Sequence, residues 1–281
     1  MNSVILQNFN SEYLGQMKNR VVMSPMTRGF ADNHLCTQTM SSYYERRAND
    51  GVALIITEGI IIHPSGDGYN NVPHMWNNEQ ANSWKTLTEK IHHHNSKIYA
   101  QLWHCGRISH SDFTGGMQPI SSSNKQASGI NRQNQKPYAI PRALSIDEIP
   151  KIYEMFINSS RKAIDAGFDG IQLHCGHGYL IDQFLDSRVN DRNDEYGGSI
   201  ENRCRFTLEL VEKILKEIGH KRLMIRISPS RFLDGIYNWE NMDEMLDYLI
   251  PNLDRLGLRQ LDISCANANY FETSGLVIKK I

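Results

Sequence analysis

No apolar run in this 281-residue chain is long enough to cross a bilayer. The longest, residues 52–62, is interrupted by Glu58 and falls well short of the ~20 residues a membrane-spanning helix needs. The opening stretch, MNSVILQNFN, has no charged segment leading into an apolar one, so no secretory leader is expected. Cysteine is sparse: Cys36, Cys105, Cys175, Cys204 and Cys265 make an odd, scattered set without a C-x-x-C pair, which argues against a disulfide frame and for a reduced, cytoplasmic setting. Charge of one sign is not in excess either. Thirty Lys+Arg stand against 31 Asp+Glu, a net charge of −1, without the basic surplus that nucleic-acid binding requires. Neither nucleic acid nor a membrane is an expected partner. Internal repeats and low-complexity tracts are also absent, and no G-x-G-x-x-G follows the first strand-like run, which counts against a Rossmann domain.

What the chain does have is 40% hydrophobic and 22% charged residues, a globular composition, and enough length to bury a core without staples. Short apolar or β-branched runs alternate with longer stretches of helical period. Strands are predicted at 21–24, 52–57, 97–102, 170–174, 223–228 and 260–264. Helices are predicted at 37–49, 79–94, 145–166, 200–218 and 241–253. The spacing Ser145-Ile-Asp-Glu148 reads as a capping box, and Asn241 precedes acidic residues in a first turn. Strand alternating with helix predicts an α/β fold with parallel strands. Thr27, Glu58, Gln101, Trp103, His174, His177 and Arg226 all fall near C-terminal strand ends, which in a TIM (β/α) barrel converge on one mouth. A doubly wound sheet would gather them at one switch point instead.

The densest chemistry runs from His174 to Phe206. Two imidazoles three residues apart follow a strand, with Tyr179 five beyond the first. Such a pair could ligate a metal, although H-x-x-H is not a strong metal spacing. It could grip a carbonyl or nitro oxygen, with Tyr179 supplying a proton. It could equally be two hydrogen-bonded core histidines beside a packed tyrosine. Arg226, inside Met-Ile-Arg-Ile-Ser, is expensive to bury unpaired and needs either a bound anion or a salt bridge at the barrel mouth. His92, His93 and His94 read as a solvated helix terminus more readily than as a metal trap.

Several strings in order resemble the Old Yellow Enzyme family of FMN-dependent ene reductases: Ser24-Pro25-Met26-Thr27-Arg28, Thr57-Glu58-Gly59, Gly68-Tyr69, Gln101-Leu-Trp103-His104-Cys-Gly106-Arg107, His174-Cys-Gly-His177-Gly-Tyr179-Leu, Asn190-Asp-Arg192, Asp194-Glu-Tyr196-Gly-Gly-Ser-Ile-Glu-Asn-Arg203 and Arg226-Ile-Ser228-Pro229. The resemblance covers nearly the whole chain from residue 3 onwards. It implies non-covalent FMN, with NADPH or NADH as reductant. Ser24, Pro25, Met26 and Thr27 would meet the isoalloxazine edge, and Gly59 would leave room for the ring. Gln101 would pair with the pyrimidine portion, and Arg226 would stand beside N1. His174 and His177 would hold the oxygen of an electron-poor alkene, an α,β-unsaturated carbonyl or nitro compound, and Tyr179 would protonate it. Tyr69 and Trp103 would wall the substrate site, although Trp103 also suits plain packing. The stretch from Asp194 to Arg203 reads as structural.

The same resemblance implies eight βα units, of which six are visible. Residues 1–281 thus read as a single, incomplete FMN-binding barrel domain, a monomer or homodimer. The segment after residue 265 is too short for two more units, and the family's phosphate-binding loops follow strands seven and eight. Two expectations follow: an active flavin ene reductase, or a non-catalytic remnant with weak or no flavin binding.

Overall fold

The strand-like runs assemble into one parallel sheet. The computed structural model describes residues 3–232 and 236–264. Its six principal strands are β1 (Val22–Met23), β2 (Leu54–Ile61), β3 (Lys97–Trp103), β4 (Gly170–Cys175), β5 (Leu223–Ile227) and β6 (Leu261–Ile263). Spatial order follows chain order from β1 to β6, and every pairing is parallel. A doubly wound sheet reverses its strand order at a switch point. No reversal occurs here, so the sheet curls as part of a TIM-type wall. Every residue of β2 and β4 is buried, as parallel strands covered on both faces must be.

The helices are α1 (Gln38–Asn49), α2 (Asn78–Ser83), α3 (Lys85–His93), α4 (Ile149–Asp165), α5 (Leu180–Leu185), α6 (Ile200–Ile218) and α7 (Met242–Arg255). Among the described residues none is long and apolar enough to cross a membrane. Their starts follow from local chemistry: Thr37 Oγ1 accepts from Met40 N–H, and Ser199 Oγ from Asn202 N–H, both at 3.2 Å. In α4, Ile149, Ile152, Tyr153, Phe156 and Ala163 make a buried stripe of helical spacing. That stripe meets α6, where Tyr153 packs on Phe206 with ring centroids 5.0 Å apart. Phe206 in turn stacks on Phe184 of α5 at 4.1 Å, closing the core beneath the segment that follows β4.

The differences from expectation are local. The helix predicted at 79–94 divides at Trp84, whose ring is wholly buried. The predicted cap at Ser145 opens a 3-10 turn before α4, with Glu148 accepting from Ser145 N–H at 2.9 Å. Asn241 precedes α7 in a left-handed conformation and caps nothing with its side chain. α7 runs through Pro251 to Arg255, two residues beyond the predicted end. The loop 107–143 holds two small ladders, Ile120–Ser121 with Arg142–Ala143 and Ile130–Asn131 with Lys136–Pro137, that the sequence does not announce. The thiols of Cys36, Cys105, Cys175 and Cys204 are free. Cys265 and residues 266–281 lie outside the described residues.

Candidate active site

Strand alternation sends every second side chain of a barrel wall inward. At the C-terminal ends of β3, β4 and β5 this gathers Gln101, Trp103, His174 and Arg226 with Pro25, Thr27, His177 and Tyr179 around one cleft of about 140 Å³. A complete small-molecule site usually encloses ~300–1,000 Å³, so these eight residues form part of a wall. A larger cavity of about 550 Å³, bordered by Lys97 and Asp169, lies where β3 and β4 begin, away from every predicted site residue.

Four side chains from four neighbouring strands are wired together beneath the cleft. Gln101 Nε2 donates to Gln172 Oε1 at 2.8 Å, Gln172 Nε2 to Asp262 Oδ2 at 2.9 Å, and Arg226 Nη1 to the same oxygen at 3.0 Å. Arg226 therefore has its salt bridge. Its buried Nε still finds no acceptor among the described residues, and neither does the buried Nε1–H of Trp103. Two buried donors without acceptors, on side chains lining one cleft, fit a ligand rich in carbonyl and imine acceptors such as a flavin ring. Gln172 and Asp262 were missed in the sequence. Gln172 stands two residues before His174 and so on the same face, a signal that was available.

Above this layer lies an aromatic cluster. Trp103 sits 4.9 Å from Tyr69, 4.7 Å from Tyr179 and 6.1 Å from His174, between ring centroids. His174 meets His177 at 5.1 Å and Tyr179 at 5.0 Å. The Tyr179 and Tyr69 hydroxyls hydrogen-bond at 2.7 Å. Burial and the neighbouring Tyr69 push the Tyr179 phenol well above its ordinary pKa, so it stays protonated and able to donate. His177 takes a left-handed backbone, φ 57°, that a β-carbon makes uncommon. Its N–H donates to Ser228 Oγ at 2.6 Å, and its Nε2 lies 2.9 Å from Ser264 Oγ.

Other predicted residues stand apart from the cleft wall. Ser24 and Met26 are exposed, Met26 at 59%. Tyr69 lies behind Tyr179 and Trp103 instead of lining the cleft. Gly59 faces Trp103: a Cβ there would sit 2.2 Å from its Cε3. The glycine is thus required by the indole, whatever else approaches it. Glu58 does not join the rim residues at all. A bulge in β2 between Ile56 and Gly59 shifts the register and turns its carboxylate toward α1. There Tyr44 Oη donates to Glu58 Oε1 at 3.3 Å, and Arg28 N–H to Oε2 at 3.3 Å. The stretch from Asp194 to Arg203 is tied to the segments before it, with Asp194 accepting from Arg192 and Arg203 donating to Leu185 C=O at 3.1 Å. His92 lies 3.0 Å from Asp169, at the end of α3.

Burial pushes the Glu58 carboxyl up from 4.5 to about 6. The folded chain then holds the proton more tightly than the unfolded one. Its favourable contribution is present below about pH 4.5 and is lost as pH rises through about 6. The loss is on the order of 2 kcal/mol, from ~1.4 kcal/mol per pKa unit. Glu58→Gln is expected to melt above the parent at pH 8, and that advantage is expected to shrink below pH 5, as thermal melts across the range will show.

The family model described as "NADH:flavin oxidoreductase / NADH oxidase family" matches residues 14–261. The putative 12-oxophytodienoate reductase-like protein 2A of Arabidopsis thaliana is 38% identical over 252 residues, 89% of this chain and 92% of that protein. The 12-oxophytodienoate reductase 7 of Oryza sativa subsp. japonica is 42% identical over 221 residues, 76% of this chain but only 56% of that protein. The solved structure of the old yellow enzyme homologue from Zymomonas mobilis superposes with a TM-score of 0.87 at 35% identity, over 93% of this chain and 73% of that one. With a family model spanning most of the chain and a wall of the matching curvature, the protein belongs to the NADH:flavin oxidoreductase family of FMN-dependent, Old Yellow Enzyme-type oxidoreductases.

Proposed function

We propose that this chain carries the catalytic wall of an ene reductase that uses NADPH or NADH to reduce the C=C bond of α,β-unsaturated carbonyl or nitro compounds. When bound, FMN supplies the two-electron carrier between nicotinamide and alkene. Gln101 would present both a donor and an acceptor to the pyrimidine portion, and Arg226 a permanent positive charge. Pro25 and Thr27 would meet the ring edge, together with the backbone of Ser24 and Met26. His174 and His177 would orient the substrate oxygen and draw electron density from the double bond. Tyr179 would deliver the proton, with Tyr69 fixing its hydroxyl and Trp103 holding both tyrosines in place.

The observation that carries this reading is the meeting of Tyr179, His174, His177 and Arg226 on one cleft with two buried donors that find no acceptor among the described residues. The six strands are proposed as six of the eight units of a single FMN-binding (β/α) barrel. The four free thiols support a cytoplasmic location. The test is purification with FMN followed by anaerobic reduction. A yellow, monodisperse protein bleached by NADPH or NADH and recoloured by an enone supports the proposal. A colourless protein that does not oxidise NADPH favours the non-catalytic remnant.

Arg226→Met is expected to weaken FMN retention roughly tenfold or more, since a hydrogen bond to a charged group contributes ~1.5–3 kcal/mol. The change also strands Asp262, so Arg226→Met with Asp262→Asn is the matched control. Flavin-fluorescence titration measures both. Unchanged affinity in both variants would remove Arg226 from the cofactor site.

A further inference from the structure

Outside the cleft, His34, Asp67 and His74 bring three ligand atoms within 4.8 Å of one another, the one such group among the described residues. We infer that these three side chains form a zinc-class cation site, which pins the loop carrying Tyr69 to the turn ahead of α1. Two segments remote in sequence supply it. Asn33 and His34 both take left-handed backbone, φ 48° and 62°, in a tight turn closed by Leu35 N–H donating to Asp32 C=O at 2.8 Å. His74 N–H donates to the His34 carbonyl at 3.0 Å, which sets the two imidazoles side by side.

The rings stack with centroids 3.7 Å apart and planes 19° apart; His74 Nε2 hydrogen-bonds to Asp67, while His34 Nδ1 lies 3.1 Å from the Val72 carbonyl, a contact that an ion would displace. His74 Nε2 lies 2.9 Å from Asp67 Oδ2, and His34 Nδ1 lies 3.9 Å from it. The other oxygen, Oδ1, is occupied by the Gly68 and Tyr69 N–H groups at 2.6 and 3.1 Å. The carboxylate is thereby fixed with Oδ2 toward the imidazoles. Bonds of ~2.0–2.2 Å to zinc allow any two ligands at most ~4 Å of separation, so ligation requires the half-exposed His34 ring to turn out of its stack on His74 and release the Val72 carbonyl. Two imidazole nitrogens and one carboxylate oxygen are the donor set of a borderline divalent ion. Asp67 and His74 are buried while the His34 side chain is 45% exposed. The ion would therefore enter from the His34 side and keep water in its remaining position.

Chelator-stripped protein titrated with Zn2+ in a calorimeter tests this without any need for catalysis. One equivalent is expected to bind and to raise the melting temperature. His34→Gln, at a half-exposed position, is expected to lower affinity by more than roughly tenfold, since even outer-shell partners of a bound metal are worth that much. It should also abolish the zinc-dependent rise. His93→Gln with His94→Gln controls for the histidines at the C-terminal end of α3 and is expected to leave uptake unchanged. No uptake by the parent protein, or uptake of equal affinity in His34→Gln, would overturn the assignment.

Discussion

Tyr179→Phe is expected to slow the reduction of an activated alkene by roughly 10²–10⁴-fold, the usual contribution of a positioned general acid, and to change flavin reduction by NADPH little. The phenol is held in place on three sides, by the Tyr69 hydroxyl at 2.7 Å and by the rings of Trp103 and His174 at 4.7 and 5.0 Å. Phenylalanine keeps the ring contacts and removes only the transferable proton. Binding geometry is then preserved while the chemical step loses its donor. Tyr69→Phe removes the partner but not the donor, so a smaller loss is expected there. Stopped-flow measurement of the two half-reactions separates the cases. Equal losses in both half-reactions for Tyr179→Phe would withdraw the proton-donor role.

Gly59→Ala is expected to destabilise the fold by about 3 kcal/mol, the upper end of typical overpacking, and to displace Trp103. A Cβ at this position would lie 2.2, 2.8 and 2.9 Å from three indole carbons. The indole is 2% exposed and is backed by Tyr69 and Tyr179, so it yields only by moving the proposed proton donor or by entering the cleft it lines. Denaturant unfolding gives the stability loss, and flavin fluorescence gives the coupled loss of cofactor. Gly59→Ala in a Trp103→Leu background should recover most of the stability, because the flexible leucine can vacate the space. Failure of that rescue would mean that the clash lies elsewhere.

The strands were legible because both faces of β2 and β4 are covered, which leaves continuous apolar runs that periodicity can find. Their lengths were less so: β2 continues through Thr57 and Glu58, polar residues that a run-based reading takes as its end. The bulge there is a property of pairing with β3, and a single strand's sequence does not encode its partner's register. That is why Glu58 was expected among the rim residues and instead faces Tyr44. Of the residues expected to meet the flavin, Gln101, Thr27, Pro25 and Arg226 line the cleft, while the exposure of Ser24 and Met26 depends on how an irregular segment after β1 lies across the sheet. The split of the second predicted helix at Trp84 likewise belongs to the tertiary core, since a wholly buried indole is placed by its neighbours, among them Phe168 at 5.4 Å.

The side-chain relay from Gln101 to Arg226 through Gln172 and Asp262 also polices how the last described strand is threaded. Arg226 faces Asp262 across the β5–β6 pairing. Sliding β6 by a single position would point Asp262 to the opposite side and maroon a guanidinium only 12% exposed. Stranding a largely buried cation in this way is penalised by several kcal/mol. Misthreading at this edge would thus be discouraged electrically as well as by packing, and the same carboxylate would damp the pull that Arg226 exerts on any anion above it.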